Sequence, residues 1–190
     1  QGWAPHQASI EWYRSRNKDL NGEGLDPAVV PGALHGALTV LERWGTMSFE
    51  QVAARAIDYA KNGFPLRPLT ARAIQANLEF FEAWPENRRL WLKPDGSLYA
   101  AGETITLPAL ADTLTRMVEA EQAQAHLGRA PGVVAARDRF YTGDIAEEMV
   151  AFLQEHGAPF DLSDFAEFYA RIEEPTRTEY RGYTVYKQGF

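Results

Sequence analysis

Residues 30–66, VPGALHGALTVLERWGTMSFEQVAARAIDYAKNGFPL, decide the fold. They read as two amphipathic helices, each closed by a glycine. In the first, Leu34, Leu38, Leu41 and Trp44 recur at helical spacing with Val40 beside them, and Gly45 ends it. Gly32 and Gly36 sit four residues apart, so one face is bare and open to close approach by another backbone. Ser48 opens the second helix with Gln51 three residues on, the capping-box pattern. Val52, Ala56, Tyr59 and Ala60 form its apolar stripe. Gly63 stops it, and Pro65 prevents its resumption.

The same reading extends to the rest of the chain. A short helix follows Trp3-Ala4-Pro5, with Ile10, Trp12 and Tyr13 placed to bury one side. Asn17 to Pro27 is a turn-rich loop. A third helix runs from Pro68 to about Trp84 on a stripe of Ala73, Ile74, Asn77, Leu78 and Phe81, and Pro85 ends it. Pro94-Asp95-Gly96-Ser97 is a turn within a short hairpin or ordered loop. A fourth helix starts at Pro108 with Leu110, Leu114, Met117 and Val118. The polar stretch Ala120 to Arg129 prolongs it in solvent, Pro131-Gly132 breaks it, and a short helix starts at Val133. Thr142 or Asp144 caps the next helix, which carries Ile145, Met149, Phe152 and Leu153 and ends at Gly157. Asp161 or Ser163 starts a short helix through Phe165 and Phe168. Arg171 to Pro175 reads as a strand ending at the proline, with a turn over Glu179 to Tyr183 and a second strand from Tyr183 to Lys187. An isolated hairpin is marginal, so these strands are expected to join a sheet whose other strands lie elsewhere. The fold class is mostly α with a small β portion at the C-terminus. With no repeat or linker, residues 1–190 read as a single helical region, 1–169 mainly helical and 170–190 forming strands.

Composition narrows the function. A chain of 190 residues with 45% hydrophobic and 24% charged side chains buries a real core and is not disordered. No apolar run approaches a membrane span, and no signal-peptide pattern opens the chain. Gln1 does not look like a natural translation start, so location is open between periplasmic or extracellular and cytoplasmic. Cys is absent, which excludes a disulfide framework and a thiol nucleophile. Net charge is -7 with no basic run, which argues against a nucleic-acid partner.

Several stretches in order carry a resemblance: Val30-Pro31-Gly32, Arg43-Trp44-Gly45, Ala56-Ile57 running to Gly63-Phe64-Pro65, Phe140-Tyr141-Thr142-Gly143-Asp144-Ile145-Ala146, and Tyr180-Arg181-Gly182-Tyr183 with Val185-Tyr186. Gly102-Glu103 followed by a Leu-Pro pair continues it. Over nearly the whole chain this pattern resembles the large subunit of the γ-glutamyltransferase (γ-glutamyltranspeptidase) family. The resemblance implies the helical block of an αββα N-terminal-nucleophile hydrolase, made as a precursor that cuts itself into two subunits. It implies that the nucleophile is the freed N-terminal Thr of the small subunit, with its own α-amine as base. The chain is then a large-subunit fragment, inactive alone, with no catalytic residue of its own and no cofactor or metal. Its implied partners are the small catalytic subunit, the remainder of the large subunit and a small-molecule amide such as a glutathione-type substrate.

One substrate-binding position of the family falls at the edge of the chain. The large subunit carries an Arg three residues before an Ala-Pro pair, where it holds the α-carboxylate of the γ-glutamyl group. Here Ala4-Pro5 follows Gln1-Gly2-Trp3, so Gln1 stands where that Arg would be. Gln donates hydrogen bonds without a charge, which points to a non-glutamyl amide of the kind taken by oxamate amidohydrolase-like relatives. A ragged terminus in which Gln1 has no role is the competing reading. At the level of function, a non-catalytic helical interaction module and a complete small hydrolase compete with the large-subunit fragment.

Other chemistry is weaker. His6, His35, His126 and His156 are scattered without metal-ligand spacing, and His35 reads as a packed residue. The pairs Asp161/Asp164 and Glu173/Glu174 suit helix capping and strand-end solvation better than acid-base work. Thr142-Gly143-Asp144 reads as a cap, and Tyr180, Tyr183 and Tyr186 as strand packing. Ser9, Ser48, Ser97 and Ser163 lack a nucleophile-elbow context.

Overall fold

The computed structural model describes residues 2–18 and 24–189; Gln1 lies outside them. The chain is mostly helical and divides into two compact units. One is built from the segments up to Gly45 and from Phe140 onward, the other from Thr46–Arg139.

In the first unit, α1 spans Ile10–Ser15. It has no buried residue, and Ile10 is 64% exposed, so the expected buried side of Ile10, Trp12 and Tyr13 does not form. The Tyr13 hydroxyl instead donates to the Asp26 carbonyl at 2.8 Å, and residues 19–23 of the expected loop lie outside the described residues. α2 spans Gly32–Trp44 and ends at Gly45 as expected. Gly45 is required for space: a Cβ there would meet the Leu41 carbonyl oxygen at 2.5 Å. The buried face differs from the expected Leu34–Leu38–Leu41–Trp44 stripe. His35, Leu38 and Thr39 are buried, whereas Trp44 is exposed. A count of apolar spacing misses this face because it is partly polar. Thr39 solves its burial locally, donating to the His35 carbonyl at 2.8 Å. The space beside Gly36 is open, so no other backbone approaches closely at that residue.

Later in this unit, α9 (Asp144–Glu155) starts after Gly143 with an acidic first turn rather than a side-chain cap. It buries Ile145, Ala146 and Val150. α10 (Leu162–Ala166) has an Asp161/Asp164 capping box. The core joins Val30, Tyr141, Ala146, Val150, Phe160, Phe165 and Phe168. Arg171 to Pro175 is not a strand. The strands are β3 (Thr176–Tyr180) and β4 (Tyr183–Lys187), antiparallel with Thr176 opposite Lys187. Proline lacks the N–H a ladder needs, so pairing begins after Pro175. Arg181 and Gly182, at φ 50° and 84°, make a two-residue turn that matches the twist of the strands. Every residue of both strands is exposed.

In the second unit, α3 (Phe49–Asn62) packs along α7 (Pro108–Ala123). The capping box is formed: Gln51 N–H donates to Ser48 Oγ at 3.1 Å and Ser48 N–H to Gln51 Oε1 at 2.9 Å. Gly63 follows α3 at φ 98°. Phe49, Ala53 and Ala60 face inward; of the expected Val52–Ala56–Tyr59–Ala60 stripe only Ala60 is buried, and Tyr59 is 56% exposed. The cause is Glu121 of α7, whose carboxylate takes the N–H groups of Phe49 at 2.6 Å and Glu50 at 2.7 Å and seats that end of α3. Glu121 is buried, so the stretch from Ala120 is not simply a solvent extension.

The expected third helix is three: α4 (Pro68–Ala76), α5 (Leu78–Ala83) and α6 (Pro85–Trp91). Asn77 breaks the first by turning its amide back to the Ala73 carbonyl at 2.8 Å. Pro85 starts α6 rather than only ending α5, because a first helical residue needs no N–H. For the same reason Pro131, expected to break the helix before it, lies in the opening turn of α8 (Arg129–Tyr141), which starts ahead of the expected Val133. The turn at 94–97 forms, with Leu92 bridged to Leu98, and Ser97 donating from N and Oγ to Asp95 Oδ1 at 2.9 and 2.7 Å. These bonds hold the Asp95 carboxyl below its ordinary range. β1 (Phe64–Pro65) pairs with β2 (Thr104–Ile105), two-residue strands too short to leave a period in sequence.

Candidate functional site

Gln1, the position matched to substrate binding, lies outside the described residues. The segment that follows it is fixed in detail. Gly2 leaves no room for a side chain, since a Cβ would fall 1.7 Å from the Val30 carbonyl oxygen. Val30 N–H donates to the Trp3 carbonyl at 2.9 Å, and Pro5 is buried. The Trp3 ring stands edge-on to Phe168 at 5.3 Å and to Tyr169 at 5.0 Å. His6 N–H donates to Asp164 Oδ1 at 2.7 Å, and His6 Nδ1 lies 2.9 Å from the same oxygen.

Asp164 is the staple. Its side chain is 1% exposed. Its second oxygen accepts the Asp161 N–H at 2.8 Å, so one carboxylate closes the α10 cap and holds His6. Capping was legible from the sequence; the His6 bond, 158 residues away, left no local signal. Asp161 in turn accepts from Ser163 Oγ and N–H, which keeps its carboxyl below the ordinary value.

Behind Trp3 the packing reaches His35. Phe168 stacks on Tyr141 at 5.8 Å, and the His35 ring stands edge-on to Phe168 at 5.5 Å and to Tyr141 at 5.1 Å. The Tyr141 hydroxyl accepts the His35 N–H at 3.0 Å and donates to the Pro31 carbonyl. His35 Nδ1 accepts the Ala170 N–H at 3.2 Å, which places the neutral ring's proton on Nε2. His35 is thus a packed, bonded residue, as its sequence context indicated. The Val30-Pro31 and Phe140-Tyr141 stretches meet here around residues 168–170.

The remaining candidates are dispersed. Ser9, Ser48 and Ser163 serve caps, and Ser97 serves a turn. Glu173 and Glu174 are exposed in irregular chain rather than at a strand end. His156 Nδ1 is 2.8 Å from the Phe152 carbonyl at the end of α9, and His126 is exposed in a single tight turn, Ala125–Leu127. Tyr180, Tyr183 and Tyr186 are 62%, 75% and 59% exposed, and the Arg181 guanidinium lies 5.4 Å from the Tyr180 ring. Among the described residues no three His, Asp or Glu side chains gather as a metal site. Among the described residues these candidates do not bring a nucleophile and a base together.

A model of the gamma-glutamyltranspeptidase family matches residues 1–190, the whole chain. The chain belongs to this family. It is 31% identical over 173 residues to the glutathione hydrolase-like YwrD proenzyme of Bacillus subtilis (strain 168), covering 88% of this chain and 30% of that protein. The structure of Helicobacter pylori γ-glutamyltranspeptidase aligns with 100% of this chain and 51% of its own, with a TM-score of 0.84 at 21% identity, a likeness of fold. The cephalosporin acylase from Bacillus halodurans aligns with 97% of this chain and 33% of its own, with a TM-score of 0.80 at 26% identity. This family member therefore spans about 30% of the length of that Bacillus subtilis relative. The mostly helical fold is that of the aligned block in these two structures.

Proposed function

We propose that these residues are the large-subunit portion of a γ-glutamyltransferase-like acyltransferase or amidohydrolase. In this reading the parent cleaves γ-glutamyl or related small amide bonds, glutathione-type substrates among them. The small subunit's N-terminal Thr hydroxyl attacks the amide carbonyl, its α-amine takes the hydroxyl proton and passes it to the amide nitrogen, and the C–N bond breaks to release the neutral amine. The acyl-enzyme then passes its acyl group to water or to an acceptor amine. Residues 1–190 contribute a wall of the substrate pocket, and residues 170–190 join the catalytic sheet. They are inactive alone.

The observation that supports this most is the locked course of Gly2–His6, held by Val30, Phe168 and Asp164 in a chain matched along its whole length to the family. A pocket wall needs that rigidity, because a substrate contact misplaced by about 1 Å can cost a hundredfold in rate. The ten exposed residues of β3 and β4 support the sheet assignment.

A second reading concerns the substrate. Gln1 in place of Arg removes a charge from carboxylate recognition, and the likeness extends to an acylase. The parent is then specific for a non-glutamyl amide. Both readings meet in one assay: the full-length precursor is offered γ-glutamyl anilide and oxamate. Faster turnover of the γ-glutamyl anilide supports the first reading and faster turnover of oxamate the second. Hydrolysis of neither by a folded precursor favours a non-catalytic helical interaction module.

A further inference from the structure

One side of α9, with Met149, Phe152 and Leu153, lines an open pocket of about 410 Å³. Small-molecule sites commonly hold about 300–1,000 Å³ and are mostly apolar. Two of the rings that line this one belong to the core: Phe160 and Phe165 are 2% and 1% exposed, with centroids 6.1 Å apart. The surrounding backbone is held as well. The Phe160 carbonyl accepts from Gln154 Nε2 at 2.9 Å, and the Pro31 carbonyl accepts the Tyr141 hydroxyl. The Phe152 ring rests against the His156 ring, 4.1 Å between centroids. Walls fixed in this way lower the ordering cost of binding. Val29 and Phe152 also line the pocket and are 48% and 38% exposed, so an occupant that covers them gains hydrophobic free energy. Charge narrows the occupant. Among the described residues Glu148 is the one charged side chain lining the pocket, and it is exposed to solvent. α9 also carries Asp144, Glu147 and Glu155 and has no Lys or Arg. An ammonium is attracted to such a rim and a carboxylate repelled.

We propose that this pocket binds a small organic cation, an alkylammonium with an apolar or aromatic body. The body fills the space bounded by Met149, Phe152, Phe160 and Phe165, and the ammonium stays at the solvent side against Glu148. Burial of the body supplies most of the affinity, and the Glu148 carboxylate supplies the preference for a cation. Such a site goes beyond the function proposed above and is independent of whether the parent cleaves amides.

The test uses the full-length protein and three probes that share a phenyl ring: phenethylamine, the neutral 2-phenylethanol and the anion phenylacetate. Each is titrated by ligand-observed NMR at about pH 8, where a primary alkylamine is protonated. Phenethylamine is expected to bind saturably with a Kd of about 1 mM. The alcohol binds about two- to fivefold more weakly, the margin an exposed ion pair allows, and phenylacetate more weakly still. Glu148→Gln removes the advantage of the amine over the alcohol, and Glu148→Lys makes phenylacetate the tighter ligand. Phe152→Ala weakens all three by about fivefold through lost apolar contact. Glu148 and Phe152 are both exposed to solvent, so these variants keep the fold, which circular dichroism checks. No saturable binding by the wild type, as when another part of the protein fills the pocket, overturns the proposal. Equal affinity for amine and acid, an order unchanged in Glu148→Lys, or affinities unchanged in Phe152→Ala also overturn it.

Discussion

At Asp164 one buried carboxylate serves the α10 cap and the N-terminal segment together. Asp164→Ala leaves the Asp161 and His6 N–H groups without that acceptor, and the expected loss is about 1–3 kcal/mol in a urea titration. Glu121→Ala removes the acceptor for Phe49 and Glu50 at the start of α3, with a similar expected loss of about 1–3 kcal/mol. Asp161 gives a pH dependence. Its folded-state carboxyl titrates below the ordinary 3.8, mainly because Ser163 bonds to the ionised form. Its contribution is present above that ordinary value and is lost as pH falls through the lower folded value. Acid unfolding of Asp161→Asn is therefore expected to show a shallower loss of stability with falling pH in this range; an unchanged profile would remove Asp161 from the account. These residues also show what a sequence discloses. Ser48 and Gln51 were readable as partners because they are three apart, whereas Glu121 meets Phe49 across 72 residues.

Helices were legible as elements, and their faces less so. Gly45 and Gly63 closed α2 and α3 as read, but each buried face keeps one counted residue, Leu38 and Ala60, and otherwise turns away from the apolar count. In α2 the reason is a satisfied polar pair, His35 and Thr39; in α3 it is the Glu121 anchor that makes Phe49 a buried end. Tyr59→Ser, on the exposed side of α3, is expected to change the stability of this chain by less than about 0.5 kcal/mol. Ala53→Leu, on the buried side, is expected to cost about 1–3 kcal/mol by overpacking. Thermal or urea unfolding of the pair distinguishes this face from the one counted in sequence. Proline was the other source of error: its missing N–H makes it both a stop and a start, and at Pro85 and Pro131 the start prevails. The last hairpin was legible in its turn, but its first strand lies on the far side of Pro175 from where alternation placed it.

At the scale of the molecule, motif order along the chain pointed to the family, and the match over residues 1–190 shows it. The folded chain explains part of that pattern: Pro31 and Tyr141 are joined through one hydroxyl, and both flank the aromatic support of Trp3. A substrate-binding role for Gln1 is a proposal that rests on its place before Ala4-Pro5, with a ragged terminus as the competing reading. The central claim is that these residues belong to a self-cleaving precursor whose nucleophile lies in a second subunit. Denaturing intact-mass measurement with N-terminal sequencing of every polypeptide in a preparation of the full-length protein tests it most directly. The account predicts two chains from one precursor, the smaller beginning with Thr. A single uncleaved chain in a folded preparation would contradict it.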